Sequence, residues 1–418
     1  MNSPHLASTT GTRPVRRLDT ARRRATVLVA AASLLAGPMT GQALAAPPPS
    51  AQCGDVVTTD IKLTADLQCS GPGLVVKAGG IVLNLNGHSI TGSGTATGIS
   101  VIGQANVRVR NGTLSRFGRG VFLATSVDGE LLNVTLADNT TDNVQTVDNS
   151  TNLKLTNCKI RRGRVQINTS SGLTVANTEF SGVGLELVSS SRSPVISGST
   201  FTDSSVTYST NANNGSLTRS TFTRSGISLR EADDLTVSGN VFTQGYIRVL
   251  NACRNTTIAD NRFSNGDRAV FVQQPASSTN LRITGNKFTR NQIGVDASDT
   301  FTGLEDGITI SENTFTENAV AGILLESTVN QSPYWVRIEG NTLRSNGQTS
   351  GGRVDSAGRP VNDGIHVTVP AGAPVEITGN ITRTNADYGI EAVPGSVTDG
   401  GGNTSVGNPS GCLGVTCA

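Results

Sequence analysis

Residues 235–315 carry four copies of one pattern: LTVSGNVF (235–242), TTIADNRF (256–263), LRITGNKF (281–288) and ITISENTF (308–315). Three earlier copies end at Phe180, Phe201 and Phe222, so neighbouring copies are spaced 20 to 27 residues apart. Seven of the 11 phenylalanines of this 418-residue chain therefore occupy one position of one repeat. A repeat of this length is a single structural unit that buries its apolar face only by stacking on its neighbours.

The residues around each Phe predict short strands. An asparagine commonly precedes the apolar residue by two or three positions, as at Asn157, Asn177, Asn240, Asn261, Asn286, Asn313 and Asn341. After a turn, a second segment alternates apolar and polar residues, as in Ile247/Val249 and Val270/Val272, and this period of two indicates a strand with one buried face. A β-propeller or sandwich would need longer repeats or tight hairpins. We therefore predict a coil of parallel strands, with an internal Phe stack and an Asn ladder.

These segments resemble the repeats of right-handed parallel β-helix proteins, the pectin-lyase-like superfamily, over about residues 53–395. They are also similar, through the same repeat, to the β-helix accessory proteins of copper-enzyme maturation. The resemblance implies an all-β, right-handed, single-stranded solenoid, and the number of repeats predicts about 12–13 coils. The ends of such a solenoid expose unpaired strand edges and need caps.

The N-terminus has the features of an export signal. A basic region with six arginines (Arg13, Arg16, Arg17, Arg22, Arg23 and Arg24) precedes an apolar stretch, and Ala43-Leu44-Ala45 forms a cleavage site. The apolar stretch is too short to cross a bilayer. We predict a signal peptide at residues 1–45, cleaved near Ala45, a Pro-rich linker at 46–52, and a Gly-rich C-terminal cap at 396–418. The mature protein would be secreted, with no membrane partner.

The six cysteines fit an oxidising compartment. Cys53 and Cys69 near the mature N-terminus, and Cys412 and Cys417 at the C-terminus, each predict a disulfide at one end of the solenoid. Cys158 and Cys253 remain. They lie on coils four steps apart, or ~19 Å at the usual strand spacing, whereas a disulfide needs Cα atoms within ~7 Å. We expect both to be unpaired.

Charge and composition exclude several partners. Only 15% of residues are charged, and the basic excess lies in the predicted signal peptide, so the mature chain lacks the basic stripe that nucleic-acid binding needs. We expect a monomer without a metal cofactor. The pairs Asp138-Asn139, Asp142-Asn143 and Asp148-Asn149 leave calcium as an alternative, but turn chemistry explains them better.

Side chains between the inward pairs of the second strand should point outward and stack from coil to coil. We predict one outward row with Glu186, Arg248, Phe271, Leu324, His366 and Glu391, and a second row with Arg230, Gln273, Asp296, Glu326 and Thr368. In this register Asp296 and Glu326 lie on adjacent coils, ~5 Å apart in backbone. A Gly- and Ser-rich insertion at about residues 344–363 follows the pair Tyr334-Trp335, and long loops on a regular scaffold are typical places for sites.

These residues suggest a site for polysaccharide. Two carboxylates and an imidazole suit acid–base chemistry on a sugar, so Asp296, Glu326 and His366 are the candidate catalytic residues. Arg248, Tyr334, Trp335, Asp363 and Glu391 are the candidate substrate-binding residues. Such an enzyme would be a polysaccharide lyase, a glycoside hydrolase or a uronan epimerase. The characteristic catalytic motifs of these enzymes are absent, so no family catalytic residue carries over. A non-catalytic structural or protein-binding module remains the alternative.

Overall fold

The computed structural model describes residues 51–251, 253–273, 280–298, 307–327 and 335–418. Over these residues the chain forms 42 strands of one sheet, which pair in parallel. They wind into about 15 coils rather than about 12–13. The additional coils are those of Leu67–Gln68 and Thr404–Val406 near the ends and of Glu130–Ala137 within the solenoid, which lack a clear copy of the repeat. None of these residues forms a helix that could span a bilayer. The predicted signal peptide lies outside the described residues.

Each coil contributes strands to three faces, which we name A, B and C in chain order. Face A contains Val56–Val57, Leu74–Val76, Thr97–Ile102, Arg119–Ala124, Asp142–Val147, Ser205–Ser209, Gly226–Arg230, Tyr246–Leu250, Arg268–Gln273, Ile293–Asp296, Ala321–Glu326, Ile365–Thr368, Tyr388–Ala392 and Gly411–Leu413. Face B contains Ile61–Lys62, Val82–Asn84, Lys154–Thr156, Thr174–Ala176, Val195–Ser197, Ser216–Thr218, Thr236–Ser238, Thr257–Ala259, Leu281–Thr284, Ile308–Ser311, Val336–Glu339, Val375–Thr378 and Thr398–Gly401.

Face C contains Leu67–Gln68, Ser89–Thr91, Thr200–Thr202, Thr221–Thr223, Val241–Thr243, Arg262–Ser264, Lys287–Thr289, Thr314–Thr316, Thr342–Arg344, Ile381–Arg383 and Thr404–Val406. Four longer strands bend across a corner between faces. Arg108–Ser115 and Glu130–Ala137 join faces B and C, while Lys159–Asn168 and Glu179–Val188 join faces C and A. Strands of the predicted C-terminal cap also pair in parallel with the preceding coil, so this segment continues the solenoid.

The predicted phenylalanine stack is confirmed. Seven rings, from Phe180 to Phe315, lie on successive face C strands with neighbouring centroids 4.5–5.1 Å apart and ring planes within 12° of parallel. All seven side chains are buried. Parallel in-register pairing places Phe on Phe because the repeat returns the same position to the same face.

A polar ladder runs beside this stack at the corner between faces B and C. Asn240, Asn261, Asn286, Asn313, Asn341, Asn380 and Asn403 are buried, and each side-chain oxygen accepts hydrogen bonds from the residue one coil earlier. Cys158, Thr178, Ser199 and Ser220 occupy the same position in earlier coils. The prediction was wrong for Asn157 and Asn177. Each precedes the ladder position by one residue and is exposed in a turn with φ near +50°.

A second buried asparagine ladder, which the sequence analysis missed, lies at the corner between faces C and A. It contains Asn291, Asn318, Asn346, Asn385 and Asn408, again linked from side-chain amide to side-chain oxygen between coils. Each of the first three follows its face C apolar residue by three positions, as Asn291 follows Phe288. The later coils therefore have amide ladders on both sides of the Phe row.

The cysteine predictions are confirmed. Cys53 pairs with Cys69 and Cys412 with Cys417, so a disulfide lies at each end of the solenoid. Cys158 and Cys253 are not disulfide-bonded, and both are buried. Burial raises the pKa of each thiol to about 11, which keeps the thiols protonated and unreactive at neutral pH.

Candidate functional site

The outward row of face A contains, in coil order, Glu186, Thr207, Ser228, Arg248, Phe271, Asp296, Leu324, His366 and Glu391. All the residues predicted for this row lie in it. Asp296, which was predicted for the second row, lies in it as well. Asp296 pairs with Leu324, whereas Glu326 pairs with Thr368, so the two carboxylates do not occupy equivalent positions. Val295 and Ala297 are the core residues that flank Asp296, which places Asp296 in the same outward row as Phe271 and Leu324.

Ile293 belongs to a small apolar cluster outside the main core. It packs with Val320, Ala321, Leu324 and Val361, and Val361 comes from the insertion. The insertion therefore lies over the C-terminal part of face A. It buries side chains that the sequence analysis expected to face solvent, including Asp296 and His366.

The insertion also makes polar contacts with face A. Its residues Asp355, Arg359 and Asp363 surround His366, whose side chain has no exposed surface. His366 Nδ1 lies 2.7 Å from Asp363 Oδ2 and 3.1 Å from Glu391 Oε2. His366 Nε2 lies 3.2 Å from Asp355 Oδ2. We call Asp355, Arg359, Asp363, His366 and Glu391 the His366 cluster.

Arg359 and Thr368 complete the hydrogen bonding of this cluster. Arg359 donates to Asp355 Oδ2 at 2.8 Å and to Glu391 Oε1 at 3.2 Å. Thr368 Oγ1 donates to Asp355 Oδ2 at 2.6 Å and accepts from Arg359 at 2.7 Å. The backbone N–H of Tyr388 donates to Asp363 Oδ1 at 2.9 Å. The insertion thus provides three charged groups to a buried site whose remaining members come from two successive coils.

The electrostatics of the cluster follow from burial and from these contacts. Burial alone would lower the pKa of His366, but hydrogen bonds and charge interactions with Asp363 and Glu391 outweigh it and raise that pKa to about 9. Burial raises the pKa of Asp363 to about 6. Burial also opposes ionisation of Asp355 and Glu391, yet their cationic and hydroxyl partners hold both pKa values below the usual range.

Three members of the cluster have the donor types of a metal site. Asp363, His366 and Glu391 each offer one donor atom, and these three atoms lie within 4.8 Å of one another. From the sequence we predict no metal, and Asp363 and Glu391 are predicted substrate-binding residues. That role stays a prediction.

The other two candidate catalytic residues, Asp296 and Glu326, also have hydrogen-bond or ionic partners. Asp296 is buried, accepts a hydrogen bond from the Ser298 N–H at 3.0 Å and lies 3.3 Å from the Arg268 guanidinium. Burial raises the pKa of Asp296. Glu326 Oε1 accepts a hydrogen bond of 2.6 Å from the Ser356 N–H of the insertion. Catalysis by Asp296, Glu326 and His366 stays a prediction, and it would require the insertion to move.

Upstream of the insertion, the same outward row opens into a groove. A cavity of about 370 Å³ is lined by Tyr246, Arg248, Arg268 and Phe271, among others. A second cavity, of about 480 Å³, continues from Tyr246 over the coils of Gly226, Ser205 and Gly184. We call this surface the Tyr246 groove. Of the predicted binding residues, Arg248 lies in it.

Tyr246 is held flat by a glycine on the preceding coil. A Cβ atom on Gly226 would lie only 2.5 Å from Tyr246 Cζ, so the phenol ring occupies the space that any other side chain would fill. Tyr246 is 42% exposed, and its ring is the aromatic surface where the two cavities meet. Tyr246 is not among the residues predicted from the sequence. The sequence feature that could have identified Tyr246 is a glycine, Gly226, at the matching position of the preceding repeat.

Two arginine side chains lie close to Phe271, the second aromatic residue of the groove. The guanidinium carbon of Arg268 is 4.5 Å, and that of Arg248 5.7 Å, from the Phe271 ring centroid. Arg248 also donates a hydrogen bond to Gln273 Oε1. These contacts hold both arginines over the groove.

Trp335 lies on a different face. It directly precedes the face B strand Val336–Glu339, and the Arg337 guanidinium lies 4.4 Å from its ring. Arg337 is itself paired with Glu376 at 2.9 Å. Tyr334 lies outside the described residues. The structure therefore does not place Trp335 in the face A row that contains Arg248, His366 and Glu391.

Two family models match parts of the chain. The model of the right handed beta helix region matches residues 66–201, and that of NosD, a periplasmic copper-binding protein, matches residues 166–358. Together with the parallel coils, these matches decide the class. The chain is a right-handed parallel β-helix protein. The segment matched to NosD contains no His or Met and a single Cys, the buried Cys253, so its donors do not fit a copper site and we derive no copper chemistry from it.

Solved β-helix structures resemble the chain at low identity. A double mutant of the periplasmic alginate epimerase AlgG is 12% identical with a TM-score of 0.40, covering 79% of this chain and 77% of that one. The A-module of the Azotobacter vinelandii mannuronan C-5 epimerase AlgE6 is 16% identical with a TM-score of 0.35, covering 78% and 91%. PfbA, a surface adhesin of Streptococcus pneumoniae, is 11% identical with a TM-score of 0.32, covering 63% and 82%. Similarity at this level says nothing about what this β-helix protein binds.

No curated protein sequence matches the chain. The two disulfides and the match to a periplasmic family model fit an extracellular or periplasmic protein.

Proposed function

We propose that this β-helix protein binds an extracellular polysaccharide on the outward side of face A, in the Tyr246 groove. The observation that carries the proposal is the Tyr246 ring, which lies flat on Gly226 and half-exposed at the junction of two open cavities. An aromatic ring that offers a flat apolar surface beside polar groups suits the apolar face of a pyranose.

The rest of the groove supports the same ligand. Successive coils repeat every ~4.8 Å, which is about the length of one sugar residue in an extended chain, so a polysaccharide could contact equivalent positions on several coils. Arg248 and Arg268 supply donors for hydroxyl or carboxylate oxygens. The small residues Gly184, Ser205 and Gly226 keep the floor of the groove low on the preceding coils.

Replacing Tyr246 by Ala is expected to weaken glycan binding by about tenfold or more, because truncating a central aromatic anchor commonly costs at least ~1–2 kcal/mol. The measurement is a glycan array containing uronans and neutral polysaccharides, followed by calorimetric titration of the best ligand. Val241→Ala is the matched control, since Val241 is similarly exposed but lies on face C.

Trp335→Ala tests whether the glycan binds at the Trp335 ring beside face B instead of at the Tyr246 ring on face A. Loss of binding in Trp335→Ala with full binding in Tyr246→Ala would move the site to face B and contradict the proposal. Absence of binding to every glycan tested would contradict it as well. Product analysis in the same incubations would show whether the bound chain is also cleaved or epimerised.

A further inference from the structure

We propose that Asp363, His366 and Glu391 form a binding site for one divalent transition-metal ion, such as Zn²⁺ or Mn²⁺, beneath the insertion. The three donor atoms are His366 Nδ1, Asp363 Oδ2 and Glu391 Oε2, which lie within 4.8 Å of one another. This site is independent of the polysaccharide proposal, because none of the three residues lines the Tyr246 groove.

Hydrogen bonds outside the donor set orient each of the three side chains. His366 Nε2 faces Asp355 Oδ2 at 3.2 Å, which favours keeping a proton on Nε2, so an ion would bind at Nδ1 by displacing the proton held there. Asp363 Oδ1 accepts from the Tyr388 N–H, and Glu391 Oε1 accepts from Arg359. The remaining oxygens, Asp363 Oδ2 and Glu391 Oε2, both point at Nδ1. Metal-binding imidazoles and carboxylates are commonly held by outer partners in this way.

The donor set brings two buried carboxylate oxygens to a single ring nitrogen. Two carboxylate oxygens face Nδ1 at 2.7 and 3.1 Å, but a ring nitrogen carries at most one proton. Glu391 is only 4% exposed, so water cannot readily supply a second donor. A cation between the three atoms would satisfy both oxygens and the nitrogen lone pair at once.

The chemistry of the donors selects the ion. One imidazole nitrogen and two carboxylate oxygens suit Zn²⁺, Mn²⁺ or a similar first-row ion, whereas Ca²⁺ prefers a shell of six to eight oxygens. No thiolate or thioether is among the donors. An ion here would join the end of the insertion, through Asp363, to two successive coils of face A, through His366 and Glu391.

The test uses the full mature protein, stripped of metal with a chelator and titrated calorimetrically with Zn²⁺, Mn²⁺ and Ca²⁺ separately. We expect one equivalent of Zn²⁺ or Mn²⁺ per chain and a higher Tm on binding. His366→Gln and Glu391→Gln should each weaken binding at least tenfold, while Glu376→Gln, which alters an acidic residue on face B, should not. Binding in none of the titrations, equal binding in all three variants, or preferential binding of Ca²⁺ would overturn the proposal.

A spectroscopic measurement keeps the test decisive if a variant fails to fold. Co²⁺ added to the wild-type protein should give visible absorption bands typical of mixed nitrogen and oxygen coordination, and NMR should show a shift of the His366 ring resonances with Zn²⁺. Binding of Zn²⁺ without any change at His366 would place the ion elsewhere and contradict the site.

Discussion

Replacing Phe242 by Ala is expected to lower the free energy of unfolding by about 3–5 kcal/mol. Phe242 is buried in the middle of the stack, with Phe222 at 4.6 Å and Phe263 at 4.5 Å on either side. Removing its ring leaves a cavity in a solenoid whose backbone spacing is set by hydrogen bonds between coils, so the neighbours cannot close the gap. Equilibrium unfolding in urea, followed by circular dichroism, measures the loss.

Phe242→Leu is the matched control for this effect. The same row uses Ile160 before the stack and Leu343 after it, so an aliphatic side chain is compatible with the position. Replacement by Leu should cost less than half of the loss seen with Ala, because most of the buried volume is retained. An Ala variant as stable as wild type would contradict a stabilising role for the stack.

Replacing Asn313 by Ala is expected to lower the free energy of unfolding by about 3 kcal/mol or more, since each buried polar group left without a partner costs ~1–3 kcal/mol. The Asn313 side chain is buried and has partners on the coil before it and on the coil after it. Its oxygen accepts from the Asn286 backbone N–H and side-chain amide, and its own amide donates to Ile283 O and Asn341 Oδ1. Deleting it removes the partner of the Asn286 backbone N–H and of Ile283 O. The Asn286 amide keeps its bonds to Ile258 O and Thr284 O, and Asn341 Oδ1 keeps the Asn313 backbone N–H.

Asn313→Ser tests whether the hydrogen bonds cause this effect. Ser199 and Ser220 occupy the same ladder position, and each hydroxyl accepts from the backbone N–H one coil earlier. A serine at 313 can keep that bond, so it should recover part of the stability lost with Ala. Hydrogen exchange would show whether the opening is confined to nearby coils, as expected for a repeat protein. Equal losses for Ser and Ala would argue against the ladder as the cause.

The coiled core was predictable because its determinants are local and repeat. Seven phenylalanines at near-constant spacing can stack only if each repeat returns the chain to the same face, and the structure has that stack. The ladder was only partly predicted. Asn157 and Asn240 both precede an apolar residue closely in sequence, but a shift of one residue moves the side chain from the buried corner to an exposed turn.

The candidate site was predicted less well, since it depends on contacts between distant segments. Sequence alternation placed His366 and Glu391 in one outward row, and this was correct. It could not show that the insertion folds back over them, because nothing local in a Gly- and Ser-rich segment specifies where it docks. The apolar contact of Val361 with Ile293 and Leu324 decides that. The row of Asp296 was wrong for a different reason, since it depends on the register with Phe271 and Leu324 on the neighbouring coils.

The amino-acid sequence by itself determined the parallel solenoid, the two terminal disulfides and the stacked aromatic core, because each follows from residues that recur at regular intervals or lie close together in the chain. Only the tertiary structure decided which outward residues meet solvent. Tyr246 is left open because Gly226 on the previous coil makes room for its ring, while His366 is enclosed because a distant insertion supplies charged partners. Exposure on a solenoid surface depends on the neighbouring coil and on the loops that cross it, and neither is encoded within a single repeat.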